Sequence, residues 1–157
     1  MSKLPVLDFL RRMIAGTLPD GAKTSFRYPT AISRTLGIRV VDVGHGTATV
    51  AMDADPEIHG NQQGTVHGGI LAELADAAIG TAHSTIVHEG DSFTGVDLRI
   101  NFFRPVWKTV LHAAASPVHG GKTMTHYQVD ITNDQGKLVA RAQAAIMTLK
   151  GEKAHGR

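Results

Sequence analysis

The sequence predicts an α+β protein in which one long helix packs against an antiparallel sheet. Residues 67–84 carry small and apolar side chains on nearly every side, which is typical of a helix buried inside a fold. Six other segments are β-branched or alternate between apolar and polar positions, as strands do. One buried helix and a long run of strands indicate a helix wrapped by five to six antiparallel strands.

The strands are predicted between clear turn signals. Residues 36–43 and 47–52 flank a Gly-His-Gly turn, and Asn-Asp-Gln-Gly at 133–136 separates the last two strands. The Gly-Gly pair at 120–121 marks another turn. The remaining predicted strands follow the helix and cover residues 93–103, 109–117, 122–132 and 137–149.

The N-terminal part has a different character from the rest. Residues 6–15 place Leu7, Leu10, Met13 and Ile14 at helical spacing, so they predict a short amphipathic helix. Residues 16–34 are rich in Gly, Pro, Thr and Ser and predict a long surface loop. We therefore expect residues 1–35 to pack as helix and loop on a domain of residues 36–150, in a chain that is a single domain overall.

Charge and composition argue against nucleic-acid binding, membrane insertion and secretion. The net charge is only +2, basic residues are scattered, and aromatics make up 5%, so a nucleic-acid groove is not expected. Charges interrupt the apolar N-terminal run, which argues against a signal peptide, and no run approaches the ~18 uncharged residues of a membrane span. We expect a cytoplasmic protein that contacts no membrane.

Motifs for metals and cofactors are missing from the sequence. There is no cysteine, and the nine histidines form no HxxxH or HExxH pair, so we expect no metal. Gly120-Gly121-Lys122-Thr123 resembles the end of a phosphate-binding loop, but a strand rather than a helix is predicted after it. No dinucleotide fingerprint or GxSxG elbow is present, and no cofactor is expected.

The start of the long helix carries the features of a reactive site. Gly68 and Gly69 would present unpaired backbone N–H groups at the positive end of the helix dipole, which is the equipment of an oxyanion hole. Asp76 lies among apolar residues, where a buried carboxylate is costly and needs a reason. The alternative is a helix face that reaches solvent, with Glu73 and Asp76 one turn apart on it.

These residues resemble the signature of the PaaI-like acyl-CoA thioesterases of the hotdog-fold superfamily. That signature is an Asn, a Gly, His-Gly-Gly and an Asp, matched here by Asn61, Gly64, residues 67–69 and Asp76. The resemblance continues through the strand at 96–105 and the segment at 136–142, and covers about residues 36–149. It implies a hotdog fold and hydrolysis of an aryl- or short/medium-chain acyl-CoA.

The resemblance also implies roles for individual residues. Asp76 would act as nucleophile or general base, and the Gly68 N–H would polarise the thioester carbonyl. Asn61 would position the carbonyl or a water molecule, and His67 would orient its loop. Thr94 would help to hold the water, although here Gly95 stands between it and the following Val-Asp pair.

Substrate contacts are expected around this core. Candidates for CoA phosphates are basic residues on strands or turns, and Gly69 and Glu73 are expected substrate contacts on the helix. The acyl group would meet the loop at 16–34 and the strand around Phe102, Phe103 and Trp107, all of which could equally serve core packing. The basic candidates are Arg99, Arg104, Lys122 and Arg141.

Oligomerisation follows from the length of the helix. Gly68 and Asp76 are eight residues apart, so ~12 Å separates them along one helix and one small thioester cannot touch both. Two helices packed antiparallel across a two-fold axis would bring them together from different chains. The resemblance implies this arrangement in a homodimer or a dimer of dimers, a homotetramer.

Two other functions remain open from the sequence. A hotdog acyl dehydratase would use His59 and Glu73, whose spacing fits that family. Its expected Phe-Pro and Pro-Gly elements are absent, and Asp76 would have no task in it. The second alternative is a non-catalytic hotdog protein that binds acyl-CoA.

Overall fold

A computed structural model describes residues 3–155, so positions 1 and 2 of the predicted N-terminal segment lie outside it. The elements are α1 Val6–Ile14, α2 Ala31–Leu36, β1 Arg39–Gly44, β2 Thr47–Ala54, α3 Pro56–His59, α4 Gly68–Ser84, β3 Ser92–Phe102, β4 Thr109–Gly120, β5 Met124–Thr132 and β6 Leu138–Leu149. A 3₁₀ turn at Gly151–Ala154 follows the last strand. The strands form one six-stranded antiparallel sheet in the order β1-β2-β4-β5-β6-β3, and the long helix α4 packs against it.

The helix α4 lies at the centre of the fold and contacts all six strands. Leu74, Ala75, Ala78 and Ile79 are completely buried between it and the sheet. Their burial supplies the main hydrophobic stabilisation of this layer. The predicted α+β architecture, with one helix wrapped by antiparallel strands, is confirmed.

Strand β3 forms one edge of the sheet. It pairs with β6 on one side, and its other side has no strand partner among residues 3–155. A bulge at Val96 leaves that side chain 54% exposed. Asp97 accepts a hydrogen bond from the Ala145 N–H at 2.8 Å, which satisfies a backbone donor that the bulge leaves without its usual partner. An exposed edge of this length is a ready surface for pairing with another strand.

The N-terminal segment shares the main core, because Val6, Phe9 and Leu10 of α1 are buried against it. A loop was predicted throughout residues 16–34 and a strand from residue 36. Both predictions are wrong over residues 31–36, which form α2. Thr30 caps α2 by accepting a hydrogen bond from the Ser33 N–H, and Gly37 ends it with a φ of 70°.

The described residues contain neither a membrane-spanning helix nor a cluster of metal-binding side chains. Within residues 3–155, no helix is both long and apolar enough to cross a membrane. The same part of the chain has no group of three or more His, Asp or Glu side chains that could hold a metal ion.

Candidate active site

The start of α4 is shaped by His67, its N-cap residue. The Nδ1 atom of His67 accepts a hydrogen bond from the Gly69 N–H at 3.0 Å. The Gly68 N–H has no hydrogen-bond partner in the part of the chain that the structure describes. One backbone donor at the positive helix end is therefore available to an incoming acceptor.

The glycine at position 68 allows an aromatic ring to lie close against the backbone. A Cβ atom there would lie only 3.0 Å from Cζ of Phe102. The absence of a side chain lets the Phe102 ring approach while the N–H stays accessible. Gly68 and Phe102 line a cavity of about 380 Å³ together with Asn61, Phe103 and Arg104.

Asn61 holds the loop in front of the helix. Its Oδ1 accepts hydrogen bonds from the Gln63 and Thr65 N–H groups at 2.9 and 3.2 Å, and its Nδ2 donates to the Thr65 hydroxyl at 3.1 Å. A primary amide carries two N–H donors, so one remains beyond the bond to Thr65. The side chain thus fixes loop geometry and can still donate one hydrogen bond toward the Gly68 cavity.

Asp76 and Glu73 line a second and larger cavity of about 890 Å³. Asp76 is exposed on the cavity wall rather than enclosed in the core, so within one chain the helix face reaches open space. The protein atoms around that wall still remove part of its hydration, and this desolvation raises the pKa of Asp76. The pKa of Glu73 is raised by desolvation first and then by the negative charge of Asp76.

The N-terminal segment forms the opposite wall of this cavity. Phe26, Tyr28 and Ile32 line it, as the loop at 16–34 was expected to do. The Tyr28 hydroxyl lies 2.7 Å from Oγ of Ser84, and the Phe26 and Phe93 rings meet edge to face at 5.4 Å. These contacts connect the N-terminal segment to the end of α4 and to β3.

Gly68 and Asp76 do not meet within one chain. They line different cavities and are separated by eight residues, or ~12 Å of helix. The aromatic residues that were expected near the acyl group also lie in different cavities. Phe102 and Phe103 line the Gly68 cavity, whereas Trp107 lines a third cavity with Arg104 and Lys137.

The other predicted catalytic and substrate-binding residues are dispersed. Thr94 lines neither of the two cavities, and its hydroxyl has only a long 3.5 Å contact with the Gly95 carbonyl. Arg99 lies with His119 and His126 around another cavity, and Lys122 is exposed in the β4–β5 turn. Within one chain, none of these three contacts the Asp76 wall.

Two arginines already have partners. Arg104 borders the Gly68 cavity and donates a hydrogen bond to the Leu138 carbonyl at 2.9 Å. Arg141 forms a bidentate ion pair with Asp130, with N–O distances of 2.6 and 2.8 Å, and this carboxylate raises the pKa of Arg141. Arg104 is therefore the basic residue best placed beside the helix start.

His59, the acid-base residue of the dehydratase alternative, is engaged elsewhere. Its Nδ1 accepts a hydrogen bond from the Asp55 N–H at 3.1 Å inside the turn of α3. It lines neither the Gly68 cavity nor the cavity that contains Glu73. One chain therefore does not bring the His59 and Glu73 side chains into a common cavity.

A buried polar cluster at the end of α4 was missed from the sequence. His83 is 1% exposed and lies 3.1 Å from the Tyr127 hydroxyl and 3.0 Å from the Thr148 hydroxyl. Burial lowers the pKa of His83 to about 4 and raises that of Tyr127 to about 12. The only local signal was a polar residue in an apolar helix, which does not reveal its distant partners.

Comparison with known proteins gives the family. The model of the thioesterase superfamily matches residues 63–140. Acyl-coenzyme A thioesterase PaaI of Escherichia coli is 32% identical over 111 residues, which cover 70% of this chain and 76% of that protein. The chain belongs to the thioesterase superfamily. This thioesterase is a PaaI-like, hotdog-fold thioester hydrolase, as the signature residues predict.

A second relative and a solved structure support the same family assignment. The thioesterase is 27% identical to 1,4-dihydroxy-2-naphthoyl-CoA hydrolase of Listeria monocytogenes over 124 residues, covering 78% of this chain and 98% of that protein. The solved structure of the E. coli PaaI protein from the phenylacetic acid degradation operon gives a TM-score of 0.71 at 30% identity, over 78% of this chain and 87% of that one. The superfamily match includes Gly68 and Asp76 of the thioesterase but not its N-terminal cavity wall.

Proposed function

We propose that this protein hydrolyses aryl- or short/medium-chain acyl-CoA thioesters to the free acid and CoA, in an active site shared between two chains. The observation that carries the proposal is the position of two groups on one helix but in separate cavities. They are the Gly68 N–H, which has no hydrogen-bond partner within residues 3–155, and the Asp76 carboxylate. Each group has a clear task in thioester hydrolysis, and neither can perform it alone.

The substrate class is supported by the relatives and by the cavity. The names of two relatives specify acyl-CoA hydrolysis, one of them of a naphthoyl group. A cavity of about 890 Å³ lies within the size range of ligand pockets in proteins. Its largely apolar wall, with Phe26 and Ile32, suits a hydrocarbon or aryl group.

The reaction follows from placing the thioester between the two groups. The carbonyl oxygen accepts a hydrogen bond from the Gly68 N–H, which stabilises the negative charge that develops there. Asp76 of the other chain either takes a proton from the attacking water or attacks the carbonyl carbon itself. The C–S bond then breaks, the CoA thiolate leaves and is protonated, and water supplies the oxygen of the acid. In the second route, water hydrolyses the acyl-Asp76 anhydride.

The supporting residues act around these two. The free Asn61 amide proton is available to the carbonyl or the water, and His67 fixes the helix start through Gly69. Gly69 and Glu73 contact the substrate near the thioester, and Thr94 reaches the water in the assembled site. Arg104 is the first candidate for a CoA phosphate, with Arg99 and Lys122 farther out, and an exposed contact of this kind contributes about 1 kcal/mol or less.

The free edge of β3 supports the assembly. Pairing of two β3 strands across a two-fold axis would continue the sheet and cover exposed Val96. The same operation turns one α4 antiparallel to the other, so each Asp76 faces the Gly68 of its partner. We propose a homodimer, or a dimer of dimers, as the active form.

A thiol-release assay on a panel of acyl-CoAs tests the activity. Steady CoA release by the wild-type protein, abolished by Asp76→Asn, supports the proposal. Binding of acyl-CoA with no release would identify a non-catalytic acyl-CoA-binding protein. Hydration of an enoyl-CoA that depends on His59 and Glu73 would identify a dehydratase instead.

A further inference from the structure

Gly80 is a glycine in the interior of α4 that the packing does not require. Glycine is among the least favourable residues inside a helix, and alanine is the most favourable. At Gly68 and Gly69 a side chain would press on the Phe102 ring and on the His67 ring, respectively. At Gly80 a Cβ atom would meet nothing within 4 Å among residues 3–155 beyond the helix's own backbone.

The empty space over Gly80 is part of the Asp76 cavity. Gly80 follows Asp76 by four residues, so the two lie on one helix face, one turn apart. Glu73 and Ala77 line the same cavity from that face. This face of α4 forms the floor of the cavity, which therefore extends from the carboxylates of Glu73 and Asp76 to Gly80, where there is no side chain.

The far end of the floor is the apolar end. Phe93 of β3 and Tyr28 of the N-terminal segment line the cavity beyond Gly80, because the Phe93 ring packs on His83 and the Tyr28 hydroxyl contacts Ser84 in the last turn of α4. Phe26 packs on Phe93 and lines the same part of the cavity. A thioester whose carbonyl carbon lies at Asp76 extends in two directions from that carbon. The CoA arm is charged and must reach solvent, so the acyl group takes the apolar direction over Gly80.

We infer that Gly80 is a specificity-determining residue. Because it has no side chain, it leaves space in the cavity for acyl groups larger than acetyl, which lie between Gly80 and the wall formed by Phe26 and Tyr28. The inference rests on the proposed thioesterase function and deepens it. A side chain at position 80 would occupy the acyl space without touching the reacting atoms at Asp76. It would therefore discriminate by acyl size.

Gly80→Leu and Gly80→Ala test this inference. The values of kcat/KM are measured for acetyl-CoA and for octanoyl-CoA or benzoyl-CoA, whichever the wild-type protein hydrolyses faster. The bulky-to-acetyl ratio is kcat/KM for the larger acyl-CoA divided by kcat/KM for acetyl-CoA. Loss of space for one or more carbon atoms in an apolar pocket changes discrimination between substrates by about 10–200-fold, so Gly80→Leu should lower this ratio by at least about tenfold. Gly80→Ala should lower the ratio less and raise Tm by about 2–4 °C, because alanine favours the helix.

Gly120→Leu is the matched control, because it places the same side chain at a glycine near the exposed end of β4 where, within residues 3–155, a Cβ atom also meets nothing within 4 Å, and Gly120 does not line the Asp76 cavity. Its bulky-to-acetyl ratio should equal that of the wild-type protein. If Gly80→Leu does not fold, Gly80→Ala decides, since its ratio must still fall while its Tm rises.

Three outcomes overturn the inference. Equal losses with both substrates show that position 80 does not sense acyl size. A Gly80 variant that dissociates in gel filtration shows that Gly80 serves subunit contact instead. A wild-type protein that releases CoA from acetyl-CoA alone leaves the proposed function standing and removes this inference. Release from no acyl-CoA removes the proposed function itself.

Discussion

The Nδ1 atom of His67 accepts a hydrogen bond from the Gly69 N–H, 3.0 Å away. Because Nδ1 accepts, the ring hydrogen of the neutral imidazole is on Nε2. This bond satisfies one of the unpaired donors at the start of α4, while the Gly68 N–H is left without a partner within residues 3–155. His67 therefore determines which of the two glycines can polarise a carbonyl.

Removing this cap should affect both stability and turnover. We expect His67→Ala to lower the free energy of unfolding by about 1 kcal/mol, as loss of an N-cap does. It should also lower kcat, because the Gly68 N–H is no longer held in place. His67→Asn keeps a capping acceptor and should restore most of both quantities. If Asn restores stability but not kcat, the imidazole has a direct role with substrate.

Asp76 and Glu73 should differ sharply in their effect on hydrolysis. We expect Asp76→Asn to lower kcat by ~10²–10⁴ or more with the oligomer intact, as loss of a nucleophile or general base does. Glu73→Gln preserves the shape of the neighbouring carboxylate and should retain most turnover. Thiol release and gel filtration measure the two properties. Near-normal turnover in Asp76→Asn with inactive Glu73→Gln would transfer the catalytic role to Glu73.

The raised pKa of Asp76 predicts the acid limb of the pH profile. Both proposed roles need the carboxylate, so kcat/KM should fall as pH decreases through the pKa of Asp76. Desolvation raises that pKa above its ordinary value of 3.8, and the fall should therefore begin at a higher pH than for an exposed aspartate. Glu73→Gln should retain this limb. Circular dichroism over the same range separates titration from unfolding.

The sequence was informative where one pattern continues over a long segment. The apolar pattern of residues 67–84 predicted α4, and the rise of a helix alone predicted that Gly68 and Asp76 are too far apart for one substrate. It failed at α2, although Thr30 and Gly37 carry ordinary helix-end chemistry, because Gly, Pro, Ser and Thr dominate the segment before it. Six residues of helix give too little periodicity to overcome that composition.

The contacts of His83 could not be predicted for a different reason. Its partners Tyr127 and Thr148 lie 44 and 65 residues away on two strands. Only the sheet order brings β5 and β6 to the end of α4. The wall of the Asp76 cavity has the same origin, because Phe26 and Asp76 meet through tertiary packing.

His83 predicts a component of the acid sensitivity of folding. Its pKa is about 4 in the folded protein and about 6.5 when unfolded, so the unfolded chain binds a proton that the folded protein does not. Above pH 6.5 the imidazole is neutral in both states, so this titration does not change stability. As pH falls toward 4, protonation of the unfolded chain lowers the free energy of unfolding by about 3 kcal/mol at most. Urea denaturation of His83→Gln should give lower stability at pH 7 and a smaller loss between pH 7 and 4.5. Parallel losses in both proteins would show that His83 does not carry this dependence.

The shared site predicts that two inactive variants restore each other. In Asp76→Ala and in Gly68→Val, both sites of the homodimer are broken. Val at position 68 places its side chain against the Phe102 ring and over the carbonyl position, and Phe102 is exposed enough to move aside. Circular dichroism and gel filtration first establish that both variants fold and assemble.

A mixed dimer of these variants has one site with both lesions and one with neither, because each site takes Asp76 from one chain and Gly68 from the other. Random re-pairing of equal amounts makes half of the dimers mixed, so activity should recover to about a quarter of the wild-type value. Differently tagged chains purified in two steps would raise this to about half, the value for pure mixed dimers. Mixed dimers that form and stay inactive would place the site within one chain. The ~12 Å of helix between Gly68 and Asp76 would then exclude one of them from the chemistry.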